Sequence, residues 1–413
     1  MMTNWPVKCM DALCEITSSK RIFAADYVSE GVPFYRGREI TEKYKGNLEV
    51  STELFITESK FQEIERKFGA PQPGDLLLTS VGTLGSVYVV KPGERFYFKD
   101  GNLTWFRHFK ELDSLFLYYW LCSPQGKSEL KKCTIGSSQS AFTIVLLKSM
   151  EIALPPLSEQ KRIAGILSAY DELIENSQRR IKILDSMARA LYREWFVNFR
   201  FPGHESIPRV SSPFGEIPQG WEVKKLSAVA EVNRSQINAR NAPGEVHYID
   251  ISSVSPGQID SVTTYAFTDA PGRARRVVQH GDLLWSCVRP NRRSYAQVMH
   301  PDTNTIASTG FAVLTATRVP FPFLCYATTT DDFIAYLTNN ATGAAYPAVT
   351  APTFEKADLV VPPAALLKEF GDVTIPMAEE IHSLQRQIKN LRRTRDLLLP
   401  RLLSGQINME SLS

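Results

Sequence analysis

Residues 154–200 read LPPLSEQKRIAGILSAYDELIENSQRRIKILDSMARALYREWFVNFR. Apolar or aromatic side chains recur at Ile163, Leu167, Tyr170, Ile174, Ile181, Leu184, Ala188, Leu191 and Trp195, a 4-3-4-3 spacing that only Ser177 interrupts. Two seam positions in every seven make a helix that buries a narrow stripe against one partner helix instead of a broad core. Pro155 and Pro156 keep the helix from starting earlier, and Ser158 with Glu159 and Gln160 supplies a cap and an acidic first turn. From Ser158 to Asn198 such a helix is about 60 Å long at roughly 1.5 Å per residue. It is a rod that needs a mate.

The mate lies in the same chain. Adding 207 to the seam positions gives Phe370, Thr374, Met377, Ile381, Leu384, Ile388, Leu391, Arg395, Leu398 and Leu402, in unbroken register. The same offset carries Pro155-Pro156 onto Pro362-Pro363, Gln178 onto Gln385 and Lys182 onto Lys389. Such self-similarity marks a duplicated architecture. It extends beyond the helices: Gly74-Asp-Leu-Leu77 matches Gly281-Asp-Leu-Leu284, and Gly136 and Thr143 match Gly343 and Thr350. Nearer the start, Trp5-Pro-Val-Lys8 matches Trp221-Glu-Val-Lys224 and Glu15 matches Glu231 at an offset of 216, so nine residues are gained or lost in between.

At 413 residues the chain exceeds a usual single core, and 43% hydrophobic residues give ample material to bury. A net charge of +3 confines any nucleic-acid surface to local patches. No run of eighteen apolar residues occurs and the first twenty residues lack the apolar core of a signal peptide, which predicts a cytoplasmic protein without membrane contact. Six cysteines are scattered with no CxxC pair, and no histidine stands at zinc-ligand spacing, so reduced, partly buried thiols and no metal are expected.

The repeat predicts an α+β chain: two mixed α/β units in pseudo-twofold arrangement, separated by two long antiparallel coiled-coil helices. Residues 1–153 form the first unit and 154–200 the central helix. Residues 201–361 hold a Pro/Gly-rich linker (201–220) and the second unit, and 362–413 the distal helix and tail. In the first unit, Asp75–Ser80, Gly82–Gly85 and Ser86–Val90 read as strand, glycine-rich turn and strand, and Leu112–Leu121 as a helix. In the second, strands are expected at Glu245–Ile251, after Asp282 and around Ser294–Met299, with one helix near Phe321–Leu337.

Exposed residues differ between the repeats where core residues agree. The second unit concentrates Arg273, Arg275, Arg276, Arg289, Asn291, Arg292 and Arg293 around strand–turn–strand loops, with Tyr346 in a later loop. Arginine offers a planar fork for phosphate oxygens or the guanine O6/N7 edge, and asparagine pairs with the adenine edge. The equivalent loops of the first unit carry Ser80, Thr83, Lys91, Arg95, Lys131, Lys132, Ser137, Ser138 and Gln139, suited to positioning phosphates. A merely solvated polar face is the competing reading.

Catalytic patterns are missing. Gly126-Lys-Ser128 resembles the end of a phosphate-binding loop, but Leu121 stands where the earlier glycine is required. Leu154-Pro-Pro and Val361-Pro-Pro lack the preceding Asn or Asp and the following aromatic of an amino-methyltransferase, and Pro301-Asp302 has no downstream Glu-x-Lys of a nuclease.

The paired motifs Leu154-Pro-Pro-Leu-Ser-Glu-Gln-Lys-Arg-Ile163 with its helix, Gly74-Asp-Leu-Leu, Gly281-Asp-Leu-Leu and Leu397-Leu-Leu-Pro-Arg-Leu-Leu-Ser-Gly405 resemble those of the DNA specificity subunits of type I restriction-modification systems. The second repeat departs from the pattern, with Ala364-Ala-Leu-Leu-Lys368 in place of Leu157-Ser-Glu-Gln-Lys161. The resemblance implies a non-catalytic subunit with two target recognition domains, each reading half of a bipartite site in double-stranded DNA. It implies helices that set the spacer and dock methyltransferase subunits, with restriction/translocase subunits joining through the complex. No cofactor is expected in this chain: S-adenosylmethionine and ATP belong to the partners. Tyr192, Trp195, Phe196 and Phe199 are candidates for the docking contact, against the alternative that they pack on the adjacent recognition unit. A coiled-coil scaffold without nucleic acid, or a fused restriction or methyl-transfer enzyme, are the other classes of function.

Overall fold

A computed structural model of the chain describes residues 5–47, 50–136 and 140–407. The chain divides into two compact units, residues 1–177 with 387–413 and residues 178–386. Each unit thus takes one part of each long helix, where the sequence suggested that the helices stand apart from the globular parts.

In the first unit the strand Val7–Cys9 pairs antiparallel with Glu151–Ala153, closing the globular part where the central helix begins. Its main sheet is antiparallel, in the order Glu15–Thr17, Leu103–Arg107, Leu76–Thr79, Val87–Val89. A second sheet orders Tyr27–Val28, Phe55–Ile56, Val32–Tyr35 and Tyr97–Phe98, the last pair parallel. Helix Ser114–Cys122 is buried nearly all round, with Phe116, Leu117 and Trp120 in one core with Leu76, Ile163, Leu167 and Leu402.

The second unit repeats the main sheet strand for strand: Ala230–Val232, Phe311–Ala316, Leu283–Ser286, Tyr295–Gln297, all antiparallel. Strand Glu222–Lys225 pairs with Asp358–Val361 as the first unit's closing pair does. The second sheet again has a parallel pair, Glu245–Ile249 with Thr305–Ser308, but its outer strand is Ala274–Val277. Between the corresponding points the first unit has the helix Glu58–Phe68 instead. That exchange falls within the interval where the repeat offset drops from 216 to 207.

The duplicated motifs have duplicated jobs. Gly74 and Gly281 sit at φ +91° and +85°, a conformation that favours glycine. Gly74 N–H donates to Val90 O and Val90 N–H to Asp75 O; Gly281 N–H donates to Val298 O and Val298 N–H to Asp282 O. The aspartates then accept from the backbone behind them, Asp75 from Gln72 N–H and Asp282 from Gln279 N–H. Their other partners differ: Asp75 takes the Trp105 indole N–H, and Asp282 the Thr315 hydroxyl at 2.7 Å. Thr143 and Thr350 both stand at the N-cap of the short helix before the closing strand.

The central helix is Leu157–Tyr192, continued by a π-turn at Arg193–Val197, and the distal helix is Ala364–Leu403. Every seam position of the central helix is buried or half-buried while flanking positions are mostly exposed. In the first unit Ile163 and Leu167 share a core with Leu399, Leu402 and Leu403, and Arg395, a seam residue, reaches Asp171. In the second, Arg180 pairs with Glu380 at 2.5 Å and Phe196 meets Phe370 with ring centroids 4.9 Å apart. Both pairings run antiparallel, as the repeat predicts. The polar seam residues Ser177 and Thr374 return their hydroxyls to the Leu173 and Phe370 carbonyls one turn back.

Three expectations need correction. Ser158 lies inside the helix Leu157–Tyr192 and does not cap it, and Gln160, wholly buried, ties the helix start down: its amide accepts from Asp113 N–H and donates to the Glu111 and Pro155 carbonyls. Residues 201–220 are folded, with a hairpin of Arg209–Ser212 and Gly215–Pro218, and with Phe201 and Ile217 buried in the core of the second unit. The expected single helix near Phe321–Leu337 is two, Phe321–Ala327 and Asp331–Asn339, because Thr330 caps the second by accepting from Phe333 N–H.

Candidate nucleic-acid interface

In the second unit the arginine-bearing loops emerge from one end of the main sheet. After strand Leu283–Ser286 the backbone turns through Arg289 and Arg293, both with positive φ (+51° and +55°), around a single 3-10 turn Pro290–Arg292. This loop is laced to residues 342–349. Val349 N–H donates to Cys287 O, Arg289 N–H donates to Pro347 O at 2.7 Å, and Thr342 and Ala348 exchange backbone hydrogen bonds. The Arg289 guanidinium donates to Ala345 O at 3.1 Å and lies 4.6 Å from the Tyr346 ring centroid. Tyr346 is nevertheless 69% exposed, and Asn291 and Arg292 project at the tip.

The turn 308–310 joins the two sheets at this end. Cys287 N–H donates to Gly310 O, and Thr309 N–H donates to Arg273 O. A Cβ at Gly310 would stand 2.9 Å from Ile251 Cδ1, so a side chain there would have to displace the end of that isoleucine. Arg273 is thereby brought beside the 287–293 loop, with its side chain exposed. Arg275 and Arg276 follow on a strand and diverge. Arg275 lies over Phe267 at 4.9 Å, whereas the Arg276 charge reaches Cys287, opposing the burial that pushes that thiol up to about 11. Arg276 Nε is buried without a hydrogen-bond partner in the structure. Arg293 is committed to Asp331 at 2.5 Å. The predicted set therefore splits: Arg273, Arg289, Asn291, Arg292 and Tyr346 share an exposed edge, and the other three are held by neighbours.

The first unit builds the same three-part end. Ser80 N–H donates to Asn102 O, Phe142 N–H donates to Ser80 O, and Val81 bridges Ala141. Ser80 itself is only 3% exposed and shares its hydroxyl with Thr104 Oγ1 at 2.6 Å, so it is a structural residue and not a phosphate contact. Thr83 is exposed in the glycine-rich loop. Lys131 and Lys132 end the helix that leads into the hairpin, exposed, with Lys132 paired to Glu129. Ser137, Ser138 and Gln139 lie outside the described residues. Lys91 and Arg95 do not belong here. They follow strand Val87–Val89 at its opposite end, where Lys91 pairs with Glu175 of the central helix at 3.0 Å and Arg95 is gripped by Glu58 over the Phe61 ring.

Sequence reasoning passed over Arg36 and Arg38. Lys99 N–H donates to Tyr35 O, which sets Arg36 beside the 99–102 turn, and an added Cβ at Gly37 would lie 3.9 Å from the Thr79 methyl. Glu39, wholly buried, accepts from Arg36 N–H at 2.8 Å and lies 3.5 Å from Arg36 Nη2 and 3.7 Å from Arg38 Nε. A buried carboxylate, its Oε1 without a hydrogen-bond partner, thus lies within ion-pair reach of two guanidinium groups at the loop end, and Arg38 remains 55% exposed. The segment Arg36-Gly-Arg-Glu39 opening a helix is the signal that was available.

The four aromatics taken as a docking contact are spent within their own unit. Phe196 is buried, at centroid distances of 5.0 Å from Phe323 and 4.9 Å from Phe370, and Tyr192 packs on Phe323 and Tyr326. Trp195 faces Phe370 and Phe199 faces Trp221. All four therefore pack against the rest of the second unit, as the alternative expected. Among the described residues no helix is long and apolar enough to cross a membrane.

Comparison with known proteins converges on one group. Residues 2–185 match the family described as type I restriction modification DNA specificity domain. The type I restriction enzyme MjaIX specificity subunit of Methanocaldococcus jannaschii is 25% identical, the alignment covering 99% of this chain and 95% of that protein. A putative type I restriction enzyme specificity subunit of Haemophilus influenzae is 29% identical over 44% of each chain. The crystal structure of the type I restriction-modification S subunit from M. genitalium superposes with a TM-score of 0.62 at 17% identity, covering 97% of this chain and 96% of that one.

Proposed function

We propose that this chain, which matches the type I restriction modification DNA specificity domain over residues 2–185 and resembles type I specificity subunits along its length, selects the DNA on which a methyltransferase and a restriction assembly act, each recognition domain reading one half of a bipartite site. The observation that carries the reading is the repeated loop end. Equivalent strand–turn–strand loops, a sheet-joining turn and a later loop or hairpin are laced together in both units, on conserved scaffolds but with different exposed residues. The same main-sheet order in both units holds different exposed edges, which suits a ligand made of two unlike halves.

Arg289, Arg292, Arg273 and Asn291 are the candidates for base edges or phosphates in the second unit, and Arg38, Arg36, Thr83 and Lys131 in the first. The chain acts without catalysis of its own on this reading, and S-adenosylmethionine and ATP are held by partner subunits. The paired helices set the number of unread base pairs and offer their exposed faces to methyltransferase subunits. The test is selection from randomised duplexes by the chain assembled with its methyltransferase. Enrichment of two short motifs at fixed spacing supports the reading, and a heptad inserted into both helices should lengthen the spacer without altering either motif. Recovery of random sequence would favour a scaffold without DNA specificity.

A further inference from the structure

The second unit gathers half of the chain's six histidines at one place. His280 precedes the Gly281-Asp282 turn, His300 follows strand Tyr295–Gln297, and Glu379 and His382 stand three residues apart on the distal helix, on one helix face. His300 Nε2 lies 2.7 Å from Glu379 Oε2 and His280 Nε2 lies 3.6 Å from Glu379 Oε1. The His280 and His300 rings are 4.3 Å apart by centroid, and His382 is 5.7 Å from His300.

A single carboxylate has use for one imidazolium partner, not three. Burial, with His300 and Arg386 beside it, holds the His382 imidazole below its ordinary value. The other repeat shows that the cluster is no requirement of the fold. Subtracting 207 turns Glu379 and His382 into Glu172 and Glu175 and His280 into Pro73. There the recognition domain meets its helix through the Lys91–Glu175 ion pair at 3.0 Å. The second unit has replaced one ion pair by a nitrogen-rich donor set.

We propose that His280, His300 and Glu379, with His382 as a fourth donor, bind one divalent transition-metal ion of the zinc class, stapling the second recognition domain to the distal helix. Imidazole nitrogens with one carboxylate oxygen suit zinc, cobalt or nickel and disfavour magnesium or calcium. The donor atoms of His280, His300 and Glu379 lie within 4.8 Å of one another. Tetrahedral ligands at about 2.0–2.1 Å from zinc stand roughly 3.3 Å apart, so small rotations of exposed side chains close the site. The ion would take the place of the proton now shared between His300 Nε2 and Glu379 Oε2 at 2.7 Å. With four protein donors the ion has no open position, which makes the site structural.

The inference is independent of DNA reading. Chelator-treated full-length chain is titrated calorimetrically with Zn²⁺, and separately with Co²⁺ under absorption. Expected are one ion per chain, Co²⁺ bands of a nitrogen/oxygen site without thiolate charge transfer, and a Zn²⁺-dependent rise in Tm. His300→Ala and Glu379→Gln should each weaken Zn²⁺ binding at least about tenfold, since even outer partners of such sites are worth that much. His280→Gln serves as a variant of minimal disturbance, and the metal-free Tm of each variant checks that it folds. No binding, a thiolate band, or unchanged affinity in the variants would overturn the proposal.

Discussion

The Arg289 guanidinium lies over the Tyr346 ring at 4.6 Å while donating to the Ala345 carbonyl, so two loops separated by more than fifty residues present one edge. Tyr346 is the lid that orients the arginine, and its own exposure leaves a face for a base or a sugar. Tyr346→Ala should therefore weaken binding to the preferred site by about 1–2 kcal/mol, the size of a cation–π contact with some desolvation. Random DNA should be affected much less. Competition binding with the assembled complex measures both, and equal loss on both would show that Tyr346 orders nothing specific.

Arg38 is exposed and within ion-pair reach of a buried carboxylate, a suitable arrangement for a phosphate contact. Arg38→Ala should lower affinity about equally on all duplexes and reduce the slope of log K against log salt by roughly one. Binding isotherms at several salt concentrations check this. A change confined to one base position would make Arg38 a base reader.

Phe196 anchors the aromatic cluster that closes the end of the central helix on the second recognition domain. Phe196→Ala should cost about 3–5 kcal/mol in the stability of that unit, as for other fully packed aromatics. Trp195→Ala, at a half-buried ring, should cost less. Thermal unfolding followed by near-ultraviolet dichroism distinguishes them. Loss of methyltransferase assembly in Trp195→Ala with stability intact would restore these residues to a docking role.

Burial raises the Asp282 carboxyl from an ordinary 3.8 to about 6, with the Thr315 and Gln279 hydrogen bonds opposing the shift. Between those values the unfolded chain has released the proton that the folded chain keeps. The stability contributed by this group is accordingly present below pH 3.8 and is lost as pH rises towards about 6. Asp282→Asn, which stays neutral at every pH as the protonated carboxyl is, should flatten the Tm–pH profile in that window. An unchanged profile would place the titrating group elsewhere.

The helices and their antiparallel pairing were legible because a heptad stripe and a constant offset are periodic signals that local sequence carries directly. The duplicated Gly-Asp turns were legible for the same reason. The reading edge was only half legible. Arg289 and Arg292 could be named from charge and loop position, but Lys91 and Arg95 lie at the far end of their strand, a matter of strand direction that residue type does not encode. Ser80 was taken for a phosphate contact, but it directly follows strand Leu76–Thr79 and its hydroxyl is buried against Thr104. Arg36 and Arg38 were missed because the parallel pairing of Val32–Tyr35 with Tyr97–Phe98 brings them to the loop end across sixty residues of sequence.

The central claim is that each recognition domain reads its own half-site. It is tested most directly by sequencing the methylated positions in a host that carries this chain with its methyltransferase, beside the same host carrying Arg289→Ala with Arg292→Ala. The account predicts a bipartite motif in the first host, and in the second a degenerate motif on one side with the other half and the spacer unchanged. Loss of both halves together, or an unaltered motif in the double variant, would contradict it.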